Sequence, residues 1–147
     1  MKRILMLAVL IATMLSASAA GYNARQEALR AGIEKDLKDR GYSVERRDDG
    51  LKFMVGGEPY FIEIDEESSD PMFVRLARYI KFDDNFKRSD VMKQLNNYNT
   101  TYAVKTFCKE KNLIVAADMF VTEPGQFTSV FSDLLSLLNS VIKSTQK

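Results

Sequence analysis

A chain of 147 residues that is 46% hydrophobic and 28% charged has room for one domain and enough apolar content to bury a core, which excludes wholesale disorder. Its 21 basic and 20 acidic residues are interspersed, so it lacks the basic stripe that releases counterions from a phosphate backbone, and nucleic acid is set aside as a partner. It has no histidine, which excludes Ser-His-Asp and Cys-His catalysis and histidine-based metal sites.

Residues 1–20 read as a secretory signal peptide. Lys2 and Arg3 give a basic start, residues 4–15 an apolar stretch, and Ala17-Ser18-Ala19 an A-x-A cleavage pattern. The apolar stretch falls short of the ~20 residues that cross ~30 Å of hydrocarbon. The expectation is an exported, bacterial, soluble protein, periplasmic or extracellular, whose mature chain begins at Ala20 or Gly21 and does not insert into the membrane. Lys2 and Arg3 are the only charges removed, so the formal net charge goes from +1 to −1. Cys108, the single cysteine, lies far from the cleavage region, so this is not a lipoprotein, and no internal disulfide can form. It reads as a semi-buried strand residue, with an intermolecular disulfide as the other reading.

Residues 21–147 then form a single α+β domain. Tyr22, Leu29, Ile33 and Leu37 lie seven or four apart, one stripe of an amphipathic helix over 22–40 that Gly41 terminates. A weakly alternating strand over 42–47 leads to Asp48-Asp49-Gly50, where Asp-Gly marks a hairpin because both turn positions tolerate positive φ. Leu51, Phe53 and Val55 alternate with Lys52 and Met54, and Gly56-Gly57 makes a second turn. Tyr60, Ile62 and Ile64 then share one face with Phe61 and Glu63 on the other. After the acidic stretch 65–70, Val74, Leu76, Ile80 and Phe82 face one way and Arg75, Ala77, Tyr79 and Lys81 the other. Ser89 is placed to cap a second helix carrying Val91, Leu95, Tyr98 and Tyr102. Val104, Thr106 and Cys108 run at strand spacing, residues 109–112 turn, and residues 113–121 are an apolar run broken by Asp118, as suits a central strand buried on both faces. Pro124-Gly125 ends that strand, and Phe127, Val130, Phe131, Leu134, Leu138, Val141 and Ile142 trace a final helix, widened by Leu135 and Leu137. The expected architecture is an antiparallel sheet of about five or six strands with three helices mainly on one face, in the order α-β-β-β-β-α-β-β-α.

Motif matches are thin. Ser140-Val141-Ile142-Lys143 fits S-x-x-K without its companion motifs. Residues 65–70 offer oxygens to a hard cation but lack the EF-hand spacing, so they read as a solvated turn. Gly56-Gly57 precedes a strand rather than a helix and cannot cradle phosphate. Asp118 is costly in an apolar strand unless paired, for instance with Lys105, and it reads as a structural pair or a ligand contact. No catalytic, cofactor-binding or metal-binding residue is assigned. If the strand registers hold, Phe61, Phe73, Arg75, Tyr79, Phe107, Asp118 and Phe120 gather on the sheet face opposite the helices, an aromatic surface with charged neighbours suited to binding or dimerisation. Leu137 on the final helix is a second interface candidate.

The stretch LNNYNTTYAVKTFCKEKNLIVAADMFV resembles the YbjN-like segment, in which a helix carries asparagines three apart, here Asn96 and Asn99, followed by an aromatic-rich strand pair and a last helix. The resemblance spans most of residues 22–145. It implies the fold of type III secretion chaperones, a twisted antiparallel sheet with helices packed on it, often paired into dimers, and it carries no enzymatic residues. Asn96 and Asn99 read as structural, fixing the helix exit.

The functional expectation is a non-enzymatic exported domain without a cofactor that binds another protein, or itself as a homodimer, in a chaperone-like or adaptor role. The alternative is a small-molecule binder with a pocket between sheet and helices where Tyr98, Tyr102 and Asp118 converge.

Overall fold

Helix α1 (Ala24–Asp39) begins where Asn23 supplies a cap. The Asn23 side chain accepts from the backbone N–H of Arg25 (2.9 Å) and Gln26 (3.0 Å), while Gln26 Oε1 accepts from the Asn23 N–H at 2.8 Å, a reciprocal capping box. Tyr22 therefore stays outside the helix, its hydroxyl donating to the Ile64 carbonyl at 3.1 Å. At the other end Tyr42 N–H reaches Leu37 O (3.0 Å) and Gly41 N–H reaches Lys38 O (2.9 Å), the paired bonds of a Schellman motif, with Gly41 at φ +87°. The computed structural model describes residues 21–81 and 104–145, and no helix among them is long and apolar enough to cross a membrane. The expected signal peptide, and the expected second helix with Asn96 and Asn99, fall outside these residues.

Six strands follow: β1 (Val44–Arg47), β2 (Gly50–Val55), β3 (Glu58–Ile64), β4 (Met72–Lys81), β5 (Lys105–Lys109) and β6 (Asn112–Val121). They form one antiparallel sheet in the order β1-β2-β3-β4-β6-β5, closed by helix α2 (Pro124–Thr145). Among the described residues there are thus two helices, both on one face, where the sequence predicts three.

The turns explain the register. Gly56 and Gly57 have φ of +59° and +85°, the two positive values a two-residue type I′ hairpin needs, and Val55 pairs with Glu58 across them. The first hairpin differs from the expectation. Its two turn residues are Asp48 and Asp49, neither at positive φ, because Arg47 already pairs with Gly50. The positive angle, +143°, falls on Gly50 inside β2, where an added Cβ would stand 1.9 Å from the Ile62 carbonyl oxygen. Glycine is needed there for backbone approach rather than for the turn.

Alternation then sorts side chains by face. Phe53, Tyr60, Ile62, Val74, Leu76, Val115 and Val121 point inward and meet Leu29, Ile33 and Leu37 of α1 and Phe127, Phe131, Leu138 and Val141 of α2. Phe53 and Phe131 pack with ring centres 5.6 Å apart, and Tyr42 meets Phe53 edge-on at 5.4 Å. Pro124, expected only to end the strand, occupies the first position of α2, where its missing N–H costs nothing. Arg40 ties the helices together, donating to Ser132 Oγ (2.8 Å) and the Thr128 carbonyl (2.9 Å).

Gln26 is the buried polar side chain that the sequence reading missed. It is 1% exposed, and its Nε2 donates to the carbonyls of Asp65 (2.9 Å), Glu66 (3.0 Å) and Ser68 (2.8 Å), so two hydrogens serve three acceptors. The 65–70 stretch, read as a solvated turn, therefore turns main-chain oxygens onto a helix side chain. Replacing Gln26 with Glu sets a carboxylate against three carbonyls and should cost about 3 kcal/mol at neutral pH. The deficit should shrink near pH 4, where a protonated Glu can again donate; urea denaturation at the two pH values measures both.

Candidate functional site on the outer sheet face

The face turned away from α1 and α2 is set by two ladders. Between β4 and β6, Phe73 pairs with Phe120, Arg75 with Asp118, Ala77 with Ala116 and Tyr79 with Ile114; between β5 and β6, Lys105 pairs with Ala116 and Phe107 with Ile114. Across β3, Phe61 pairs with Ala77 and Glu63 with Arg75. Phe61, Phe73, Arg75, Tyr79, Phe107, Asp118 and Phe120 therefore share this one face. Leu137 lies apart from them, half-buried on α2 against the inner core.

Arg75 organises the centre. Its Nε meets Asp118 Oδ1 at 2.7 Å and its Nη2 meets Oδ2 at 3.1 Å, a bidentate pair, and Lys105 Nζ reaches the same Oδ2 at 3.1 Å. Nη1 stands 3.7 Å from Glu63 Oε2. The guanidinium lies 5.4 Å from the Phe73 ring centre and 5.5 Å from that of Phe107, within cation–π range of both. Tyr79 donates its hydroxyl to Glu63. The sequence suggests Lys105 as the partner of Asp118; Arg75 is the closer one, because β4 rather than β5 stands directly opposite that position.

These contacts set the ionisation of the site. Burial would raise the Asp118 carboxyl, whose side chain is 10% exposed, but the hydrogen bonds from Arg75 and Lys105 outweigh it and hold the group below the usual carboxylate range. The hydrogen bond to Asp118 likewise strengthens the hold of Arg75 on its proton. Burial, then the hydrogen bond to Glu63, pushes the Tyr79 phenol up, so it stays neutral.

Aromatic contacts complete the surface. Phe73 and Phe120 meet edge-on with centres 5.4 Å apart, as do Phe61 and Tyr79 at 5.3 Å, and the Arg47 guanidinium sits 5.6 Å from the Phe61 ring. Ala77, Ala116 and Ile114 are buried among them, with Tyr79 and Phe107 packed alongside. Phe120 is 64% exposed. A groove of about 410 Å³ runs past Arg75, Glu63, Tyr79, Phe73, Phe107 and Asp49, and a neighbouring recess of about 270 Å³ lies between Arg47 and Tyr79. Arg47, Glu63, Asp49 and Ile114 belong to this surface although the sequence reading did not select them; the alternation that places Phe61 already placed Glu63.

Chemically the arrangement is suited to binding. The central carboxylates are spent on cations or on Tyr79, and Cys108 points to the inner face, half-buried against the core. Ser140, of the S-x-x-K match, donates to the Ser136 carbonyl at 3.0 Å on the surface of α2. No group of metal-holding side chains occurs among the described residues. The expected pocket between sheet and helices does not contain Asp118, which faces the other way, and Tyr98 and Tyr102 lie outside the described residues. No family model matches the chain, and no curated protein matches it.

Because the folded Asp118 holds its proton less tightly than the unfolded group, its contribution to stability is present above ~3.9, the unfolded carboxyl value, and is lost as the pH falls through the folded value. Asp118→Asn should cost about 2 kcal/mol at pH 7, and the gap to the parent should close on acidification. Parallel chemical denaturation series down to about pH 2 measure it.

Proposed function

We propose that this is a non-enzymatic, exported protein-binding domain in a chaperone-like or adaptor role, and that it binds through the outer sheet face. The observation that carries the reading is an aromatic surface ending in the exposed Phe120 and built around an arginine whose charge is already matched. Interfaces are enriched in aromatic residues and arginine and depleted of unpaired charge at their centre. A charge that is paired before binding loses less on desolvation than a bare one.

The 410 Å³ groove favours a second reading, a small-molecule binder, since its size falls within the ~300–1,000 Å³ of ligand pockets. On that reading the ligand lies over Arg75 and Tyr79 on the outer face, rather than between sheet and helices.

A photo-crosslinking phenylalanine analogue at position 120, in the chain expressed in its native host, tests the main reading. It should give a protein adduct, whereas the same analogue at Lys35, 77% exposed on α1, should not. Absence of an adduct at 120 overturns the proposal. Phe120→Glu should leave stability within about 0.5 kcal/mol, as for an exposed site, yet abolish the adduct formed from a second probe at Phe73.

A further inference from the structure

Arg75 has its charge matched but not its hydrogen bonds. A guanidinium carries five N–H groups, and Asp118 takes two of them, one from Nε and one from Nη2. Nη1 stands 3.7 Å from Glu63 Oε2, too far for a hydrogen bond, while the other carboxylate oxygen, Oε1, accepts from Tyr79. Among the described residues the one side-chain polar atom that is both buried and without a partner is Arg30 Nε, so Arg75 Nη1 and Glu63 Oε2 are open to the groove of about 410 Å³ that both residues line. A donor and an acceptor therefore stand side by side at its wall. We infer that the groove takes an uncharged planar heterocycle with a lactam edge, a ring C=O beside a ring N–H, as in a uracil- or hypoxanthine-type base or its nucleoside. This rests on the small-molecule reading above and names its ligand class.

The edge selects the group it reads. In one amide the oxygen and nitrogen lie roughly 2.3 Å apart, so hydrogen bonds of about 2.9 Å reach Nη1 and Oε2 with a slight splay. Both bonds form only if C=O and N–H point the same way. A trans peptide group points them in opposite directions, which excludes polypeptide backbone, whereas a lactam ring is held cis and points them together. Charge decides the rest. A carboxylate or phosphate placed there would meet Glu63, and an ammonium would meet Arg75, so the ligand is neutral at this edge. Asp49 and Asp65 line the same groove, with Lys109 as its other cation, which favours the free base or nucleoside over a phosphorylated form.

The walls suit a flat ring. Tyr79, Ile114 and Phe107 form one row across β4, β6 and β5, and Phe73 lies beyond Arg75 in the opposite direction. Aromatic faces accept any base, so stacking supplies affinity while the donor and acceptor of Arg75 and Glu63 supply choice. That edge is set before a ligand arrives, because Arg75 is held by Asp118 and Glu63 by Tyr79. Apolar walls with a few convergent polar groups are the usual makeup of ligand pockets.

Calorimetric titration of the purified full chain with two matched nucleoside pairs tests the class. Inosine and uridine should bind saturably. Their counterparts 1-methylinosine and 3-methyluridine, which carry a methyl group in place of the lactam hydrogen, should bind at least about tenfold more weakly, because Glu63 Oε2 is then covered without a donor. Glu63→Ala should bind the two members of each pair alike, since the acceptor that tells them apart is gone, and circular dichroism checks that it is folded. The comparison on the parent needs no variant, so a misfolded one leaves the test intact. Equal binding within the pairs, or no binding of inosine and uridine, overturns the inference. Benzamide presents the same edge as a primary amide; should it bind where the nucleosides do not, the heterocycle falls and only the amide edge stands. If indole or benzoate alone saturates the parent and loses that binding in Phe107→Ala, the small-molecule reading stands without the lactam; if no probe saturates, both fall.

Discussion

Arg75 and Asp118 face each other across the ten-pair ladder that joins β4 to β6, the longest in the sheet. Two hydrogen bonds between their side chains fix the relative register of these strands, because a slip of one residue would send the guanidinium into the inner core and leave the carboxylate without it. The same slip would turn Val74 and Leu76 out of the core and Phe73 and Ala77 into it. Hydrophobic patterning and ion pairing thus demand one alignment, and the placement of every residue of the candidate site follows from it.

The sheet's two faces do different work. The inner face closes over α1 and α2 with large buried side chains such as Phe53, Tyr60, Phe127 and Phe131, and burial of this kind stabilises by ~25 cal/mol per Å² of apolar surface. Polar groups admitted to that side are anchored: Arg78 donates to the Tyr60 hydroxyl at 3.3 Å and pairs with Glu58 at 2.8 Å, and Gln26 serves the 65–70 carbonyls. The outer face holds its charges in cross-strand pairs between rings. A substitution at its exposed rim, such as Phe120, changes what the surface presents without opening the core, whereas one at Asp118 breaks a cross-strand pair and costs stability.

Most of this was legible from period and turn chemistry. Period-two runs gave the faces of β3 and β4 and hence Phe61, Phe73, Arg75 and Tyr79 on one surface; the Leu29-Ile33-Leu37 stripe gave α1, and Gly41 its end. What escaped depends on contacts between distant segments. Asp118 could be known to need a cation, and Lys105 does reach it, but that Arg75 adds the bidentate partner requires that β6 lie between β4 and β5, and sequence order does not state this. Gln26 looked like one more polar position on a helix, and only the return of residues 65–68 beneath it gives its amide a task. At the first hairpin the Asp-Gly pair suggested a turn centre, but the pairing of Arg47 with Gly50 moved the turn back one residue and left the glycine in the strand.

On the binding role proposed above, the same pairing that solves a folding problem also preorganises the outer face. Holding a long flexible cation in one place on association costs ~0.5–1.5 kcal/mol of conformational freedom per side chain. Arg75 has met that cost on folding, fixed by Asp118, Glu63 and two flanking rings, and Tyr79 is fixed by Glu63. Because these side chains stand on paired strands and not on a loop, the backbone beneath them is ordered as well. A surface with little left to lose on association can bind with fewer contacts than its size suggests, and the register that fixes Arg75 opposite Asp118 is what makes it so.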